Sequence, residues 1–135
     1  MATKIEYAPL EAFALDPLNP RLGRIVHGQN LDQDQIYEKM KDWSLEELAT
    51  SFLESGFWPH EAVLCIEEEV SGTKRLVVVE GNRRLAALQR LDRAYNGVET
   101  NKKWQELIQG TNRPDSLFKD VPFILYGSRT DVDAF

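Results

Sequence analysis

A chain of 135 residues with 42% hydrophobic content is long enough for one domain with a sizeable core. Its formal net charge of -6 argues against gripping a long stretch of nucleic acid by counterion release, and leaves a local basic pocket as the form a cationic site would take. The single Cys65 excludes an intramolecular disulfide, and with only His27 and His60 beside it the chain has no zinc-type ligand spacing, so a metal would have to be bound by carboxylates or by a nucleotide. Lys4 to Leu10 reads as a short edge strand. Asp16-Pro17-Leu18-Asn19-Pro20-Arg21 follows as a loop, because each proline pushes the residue before it toward extended geometry. After a polar, glycine-containing stretch from Leu22 to Asp32, Ile36, Tyr37 and Met40 recur at helical spacing within Gln33 to Lys41.

Ser44-Leu45-Glu46-Glu47 has the pattern of a capping box and predicts a helix whose apolar face is Leu45, Leu48, Ala49, Phe52 and Leu53, stopped by Gly56. Ala62 to Glu68 and Arg75 to Glu80 flank a glycine-bearing polar turn and predict an antiparallel hairpin. Val77, Val78 and Val79 have the continuous apolar character of a central strand, and a helix from Asn82 to about Tyr95 follows without a linker, ended by Asn96-Gly97. Lys102 to Ile108 predicts another helix, Gly110 to Asp115 a loop, and Val121 to Tyr126 a last strand. From Ser128 onward the pattern is that of a capped helix cut off in its first turn, which predicts a chain truncated at Phe135. Trp43, Trp58 and Trp104 are assigned to packing, and Glu67-Glu68-Glu69 to a solvated strand end that blunts an edge. No window approaches about 18 consecutive apolar residues, and the N-terminus lacks the apolar run of a signal peptide, so the expected compartment is the cytoplasm.

The densest chemistry lies at the strand-to-helix junction Glu80-Gly81-Asn82-Arg83-Arg84. The first turn of a helix presents unpaired N–H groups, Gly81 lets the main chain approach a ligand, and two guanidinium groups add forked donors for phosphate oxygens. Cations in a first turn oppose the helix dipole, which favours an anionic ligand over a purely structural role. Glu80 has two readings: it neutralises the arginines until a ligand arrives, or it acts on the ligand as a Mg²⁺ partner or proton acceptor. Cys65, on the preceding strand, reads as a small buried hydrophobe.

Three segments in order resemble the N-terminal domain of ParB-like proteins: Pro17-Leu18-Asn19-Pro20-Arg21, then Leu48-Ala49-Thr50-Ser51-Phe52 with Gly56 and Pro59, then Glu80 to Leu88. The resemblance spans about residues 5 to 135. It implies the ParB/sulfiredoxin fold, a small mixed α/β domain with a short mixed sheet flanked by helices, in which Gly81, Asn82, Arg83 and Arg84 hold the triphosphate of a nucleotide, CTP or ATP, with Mg²⁺. Asn19, Arg21, Ser51 and Gly56 would then shape the rest of the nucleotide pocket, and a helix starting near Thr130 would bring a further asparagine and arginine to the phosphates. The chain departs from the family at Asn19, where many ParB proteins carry glutamine, and at Asn82, where they carry glutamate and where sulfiredoxin carries its reactive cysteine. The implied function is a nucleotide-binding regulatory domain, possessing or lacking NTPase activity, of a DNA-associated protein of the chromosome- or plasmid-partition kind, with DNA read beyond residue 135 or by a partner, and with a homodimer as its assembly. Small-molecule kinases of the same fold use an acidic residue just before the glycine, as Glu80 stands here, which makes a nucleotide-dependent kinase the alternative. A ParB-like nuclease is a weaker alternative, since no cluster of Asp, Glu and His of the two-metal kind is apparent.

Overall fold

A computed structural model of the chain describes residues 4–19, 32–41 and 43–133. Its centre is the predicted hairpin, β3 (Val63–Val70) and β4 (Thr73–Glu80), which pair antiparallel through a two-residue turn. Ser71 and Gly72 both take positive φ, 53° and 82°, the geometry that matches a tight hairpin to the twist of its strands. Around it, β1 (Glu6–Ala8), β2 (Phe13–Leu15) and β5 (Val121–Leu125) complete a mixed five-stranded sheet in the order β1-β5-β3-β4-β2. The β3–β5 and β4–β2 pairs are parallel, and β1–β5 is antiparallel.

The helices are α1 (Gln33–Met40), α2 (Glu46–Ser55), α3 (Asn82–Tyr95), α4 (Lys102–Ile108), α5 (Asp115–Lys119) and α6 (Arg129–Asp133). The period-2 alternation of the strands sorts their side chains between two faces. Phe13, Leu15, Val63, Cys65, Val78, Val121 and Phe123 join Ile36, Phe52, Leu85, Leu88, Trp104 and Phe118 in the main core, so that α1 to α5 all contribute to one face. Ala14, Ile66 and Val77 point the other way, into a smaller cluster with Val132 of α6. The architecture is mixed α+β, as the sequence predicts, and no helix among the described residues is long and apolar enough to cross a membrane.

Several local expectations are corrected. Ser44 does not cap α2: it has φ 54°, the N-cap position falls on Leu45, and no side-chain cap bond forms. The capping box instead stands at α1, where Asp32 accepts from the Gln35 N–H at 2.8 Å and the Gln35 side chain accepts from the Asp32 N–H at 3.0 Å. Glu67 to Glu69 do not blunt an edge, because β3 is the central strand; they face Leu76, Arg75 and Lys74 of β4. Trp104 is buried as expected, whereas Trp58 is 50% exposed. Two elements, β2 and α5, have no counterpart in the sequence reading. The open side of β2 is covered by Gln33, whose side chain accepts from the Leu15 N–H at 2.7 Å and donates to the Leu15 carbonyl at 2.9 Å, standing in for a neighbouring strand.

Candidate functional site

The junction between β4 and α3 is built around Gly81, the N-cap of α3, at φ 105°. A Cβ there would stand 2.8 Å from Val63 Cγ1 and 3.2 Å from Arg84 Nη2, so only glycine fits. Just upstream the pairing of β3 and β4 shifts: Cys65 faces Val78 while Leu64 faces Glu80, leaving Val79 as an extra residue. Bulges of this kind re-aim the end of a strand, and here the re-aimed end carries Glu80. Helix geometry leaves the N–H groups of Asn82, Arg83 and Arg84 without an i−4 carbonyl, the N-cap Gly81 has no side chain with which to cap them, and no acidic residue occupies the first turn.

Each side chain of the box has a distinct setting. Asn82 is buried, and its amide accepts from the Asp16 N–H at 3.0 Å and donates to the Val78 carbonyl at 2.8 Å. Its side chain is therefore a brace between strand, helix and loop, and what it offers a ligand is its backbone N–H. Arg83 donates from Nε to the Trp43 carbonyl and from Nη2 to the Ser44 carbonyl, both at 3.1 Å. Arg84 folds back over Gly81, and its Nε is buried with no hydrogen-bond partner. Among the described residues neither arginine lies within ion-pair distance of a carboxylate, Glu80 included. The reading in which Glu80 neutralises the arginines thus has no ion pair behind it.

These residues open onto a cavity of about 240 Å³ lined by Asn19, Trp43, Leu48, Val79 and the run from Glu80 to Arg84. The structure thereby brings Asn19 together with Glu80, Gly81, Asn82, Arg83 and Arg84. Ser51, exposed on α2, and Gly56, the C-cap of α2 at φ 77°, do not line it. Arg21 lies outside the described residues. The cavity is smaller than the roughly 300 to 1,000 Å³ usual for whole ligands, a size that encloses part of a ligand and leaves the rest in the open.

The sequence reading missed three contributors. Trp43 and Leu48, with Val79 of β4, form the apolar part of the lining. Asp16, 3% exposed, supports the Asn19 loop: its carboxylate accepts from the Leu18 N–H at 2.9 Å and takes the two ends of the Arg129 guanidinium at 2.8 and 2.9 Å. Those hydrogen bonds, with a further one to Glu68 at 3.2 Å, push the Arg129 guanidinium pKa well up. No residue pattern marks a pair so far apart in the chain. Cys65 is fully buried, and burial pushes its thiol up to about 12, which keeps it protonated and unreactive at neutral pH.

No protein-family model, curated protein or solved structure matches the chain.

Proposed function

We propose that the chain is a nucleotide-binding regulatory domain of a ParB-like, DNA-associated protein, acting in the cytoplasm, with the triphosphate seated on the N-terminus of α3. The observation that carries this reading is Arg84. A guanidinium with a buried, unpartnered Nε, out of ion-pair range of every carboxylate among the described residues and set beside helix N–H groups that the N-cap glycine leaves uncapped at the mouth of a cavity, is an arrangement that an anion completes. The order of the three ParB-like segments adds support for the choice of a nucleotide as that anion. Mg²⁺ would enter as the counter-ion of the phosphates, with Glu80 the carboxylate lining the cavity. A net charge of -6 favours delegating DNA contact to another region or partner, and a homodimer is the assembly through which a bound nucleotide would act.

Calorimetric titration with ATP, CTP, GTP and UTP in the presence of Mg²⁺ tests the reading. One nucleotide should bind, and Arg84→Ala should weaken it at least about tenfold, the loss of a charge-assisted contact of about 1.5 to 3 kcal/mol. Absence of binding by all four, or indifference to Arg84→Ala, sinks the proposal.

One observation favours an enzyme as second reading: Glu80 is exposed in the cavity with no arginine partner among the described residues, which leaves its carboxylate available to accept a proton from an attacking hydroxyl. In a kinase, Glu80→Gln should abolish phosphotransfer while nucleotide binding stays near normal; in a switch it should alter affinity or its Mg²⁺ dependence.

A further inference from the structure

Trp43 has a setting that packing alone does not explain. Trp104 is sealed at 1% exposure and Trp58 lies outside the cavity lining, whereas Trp43 packs partly on the main core and partly lines the cavity with Leu48, Arg83 and Arg84. Its backbone is held at both ends. The Trp43 N–H donates to the Met40 carbonyl at 3.0 Å, and its carbonyl accepts from Arg83 Nε at 3.1 Å. Ser44, next in the chain, adopts the left-handed φ of 54° and turns its own carbonyl to the same guanidinium. Non-glycine residues take that conformation at a cost, and such strain collects where the surroundings fix a geometry for use. Here it fixes the backbone that carries Trp43 beside a cationic anion seat.

A phosphate group gains nothing from an indole wall, because it is strongly hydrated and has no apolar surface. A flat ring does gain, by stacking and by shedding water from both faces. The geometry points to Trp43 as the specificity-determining residue of this cavity: with Leu48 it forms the apolar wall against which the base of a nucleotide lies, so that the site takes a base-bearing phosphate ester in preference to inorganic polyphosphate. The inference rests on the nucleotide reading above and adds the group that separates a nucleotide from its phosphate chain.

Titration of the full chain with Mg²⁺-ATP, Mg²⁺-CTP and inorganic tripolyphosphate provides the test. The wild type should bind a nucleotide more tightly than tripolyphosphate. Trp43→Ala should weaken the nucleotide about tenfold while leaving tripolyphosphate within about twofold. Trp43→Leu keeps apolar bulk for the core without a ring, and should lose nucleotide affinity in the same way, whereas Trp43→Phe should retain most of it. A structural role would instead weaken both ligands equally, and that result overturns the inference, as does a nucleotide affinity unchanged in Trp43→Leu. Wild-type protein that binds nucleotide yet shows no preference over tripolyphosphate overturns this inference alone. Failure of the wild type to bind any nucleotide removes the underlying reading and this one together.

Discussion

Gly81 concentrates the demands of the site in one residue. Its φ of 105° is a conformation that side chains rarely adopt, and a Cβ would press on Val63 behind it and on the Arg84 guanidinium in front. Gly81→Ala should therefore lower stability by at least about 1 to 3 kcal/mol and displace Arg84, so that anion affinity falls even at temperatures where the variant is folded. Thermal melts paired with titrations check this; a variant with unchanged melting and unchanged affinity would mean that the junction relaxes freely. The residues of this junction were legible from sequence because glycine and arginine announce backbone freedom and phosphate-binding capacity by type alone. Their division of labour was not. Asn82, grouped with the phosphate ligands, spends its side chain on Asp16 and Val78, and Arg83 holds the Trp43–Ser44 turn. Asp16, Trp43 and Ser44 lie in segments remote in sequence, beyond the reach of local pattern.

At the level of elements, two ion pairs fix helices to the rest of the fold, and each makes a prediction. Arg129 ties α6 to Asp16, and the Asp16 carboxylate is almost wholly buried. Arg129→Ala strands that carboxylate and should cost about 3 to 5 kcal/mol by chemical denaturation, with partial recovery when Asp16→Asn is added. Equal stability of the single variant and wild type would place the anchoring of α6 in Val132 alone. The second pair joins Arg90 of α3 to Glu99 at 2.7 Å. Burial by itself would raise the Glu99 carboxyl, but the Asn101 N–H and the Arg90 guanidinium outweigh it, with help from Lys41, and hold it below the usual range. An acid depressed in the folded state binds fewer protons there than in the unfolded chain. Its stabilisation is complete above the unfolded value near ~4.3 and fades as pH falls through the lower folded one. The stability gap between wild type and Glu99→Gln should accordingly be widest at neutral pH and close in acid. A gap constant from neutral to acid would assign the contribution to packing.

The same scale explains which elements the sequence revealed. Helices α1, α3 and α4 and the β3–β4 hairpin carry their own periodicity and turn signals, and they stand where the pattern places them. The failure at Ser44 is instructive: a residue pattern for a capping box lost to tertiary demand, because the carbonyls of Trp43 and Ser44 are drawn to Arg83 of another helix. Strand β2 stayed hidden because three residues ahead of Asp16-Pro17 carry no alternation long enough to detect, and its partners are β4 and the Gln33 side chain rather than a neighbour in sequence.

For the whole molecule, the order β1-β5-β3-β4-β2 was beyond sequence reasoning, since both parallel pairs and both edge positions depend on long-range closure. That order has a consequence for how the protein comes into being. Residues of β1 and β2 leave the ribosome first, yet Glu6 must wait for Phe123 and Phe13 for Leu76. The hairpin β3–β4 and the helix after it close the shortest loops and should form earliest, with β1 and β5 last, because long loops lose more entropy on closure. Pulse-labelled hydrogen exchange during refolding should show protection arising in Cys65 to Val78 before Glu6, Ala8 and Phe123; simultaneous protection would mean that the sheet assembles in one step. The brace that frames the cavity joins Asp16, Asn82 and Arg129, so it is complete only once residue 129 has reached a fold that already holds Asp16 and Asn82. Under the proposed reading, a ligand seated here would favour copies in which α6 has docked onto Asp16 over copies that display the arginines without it.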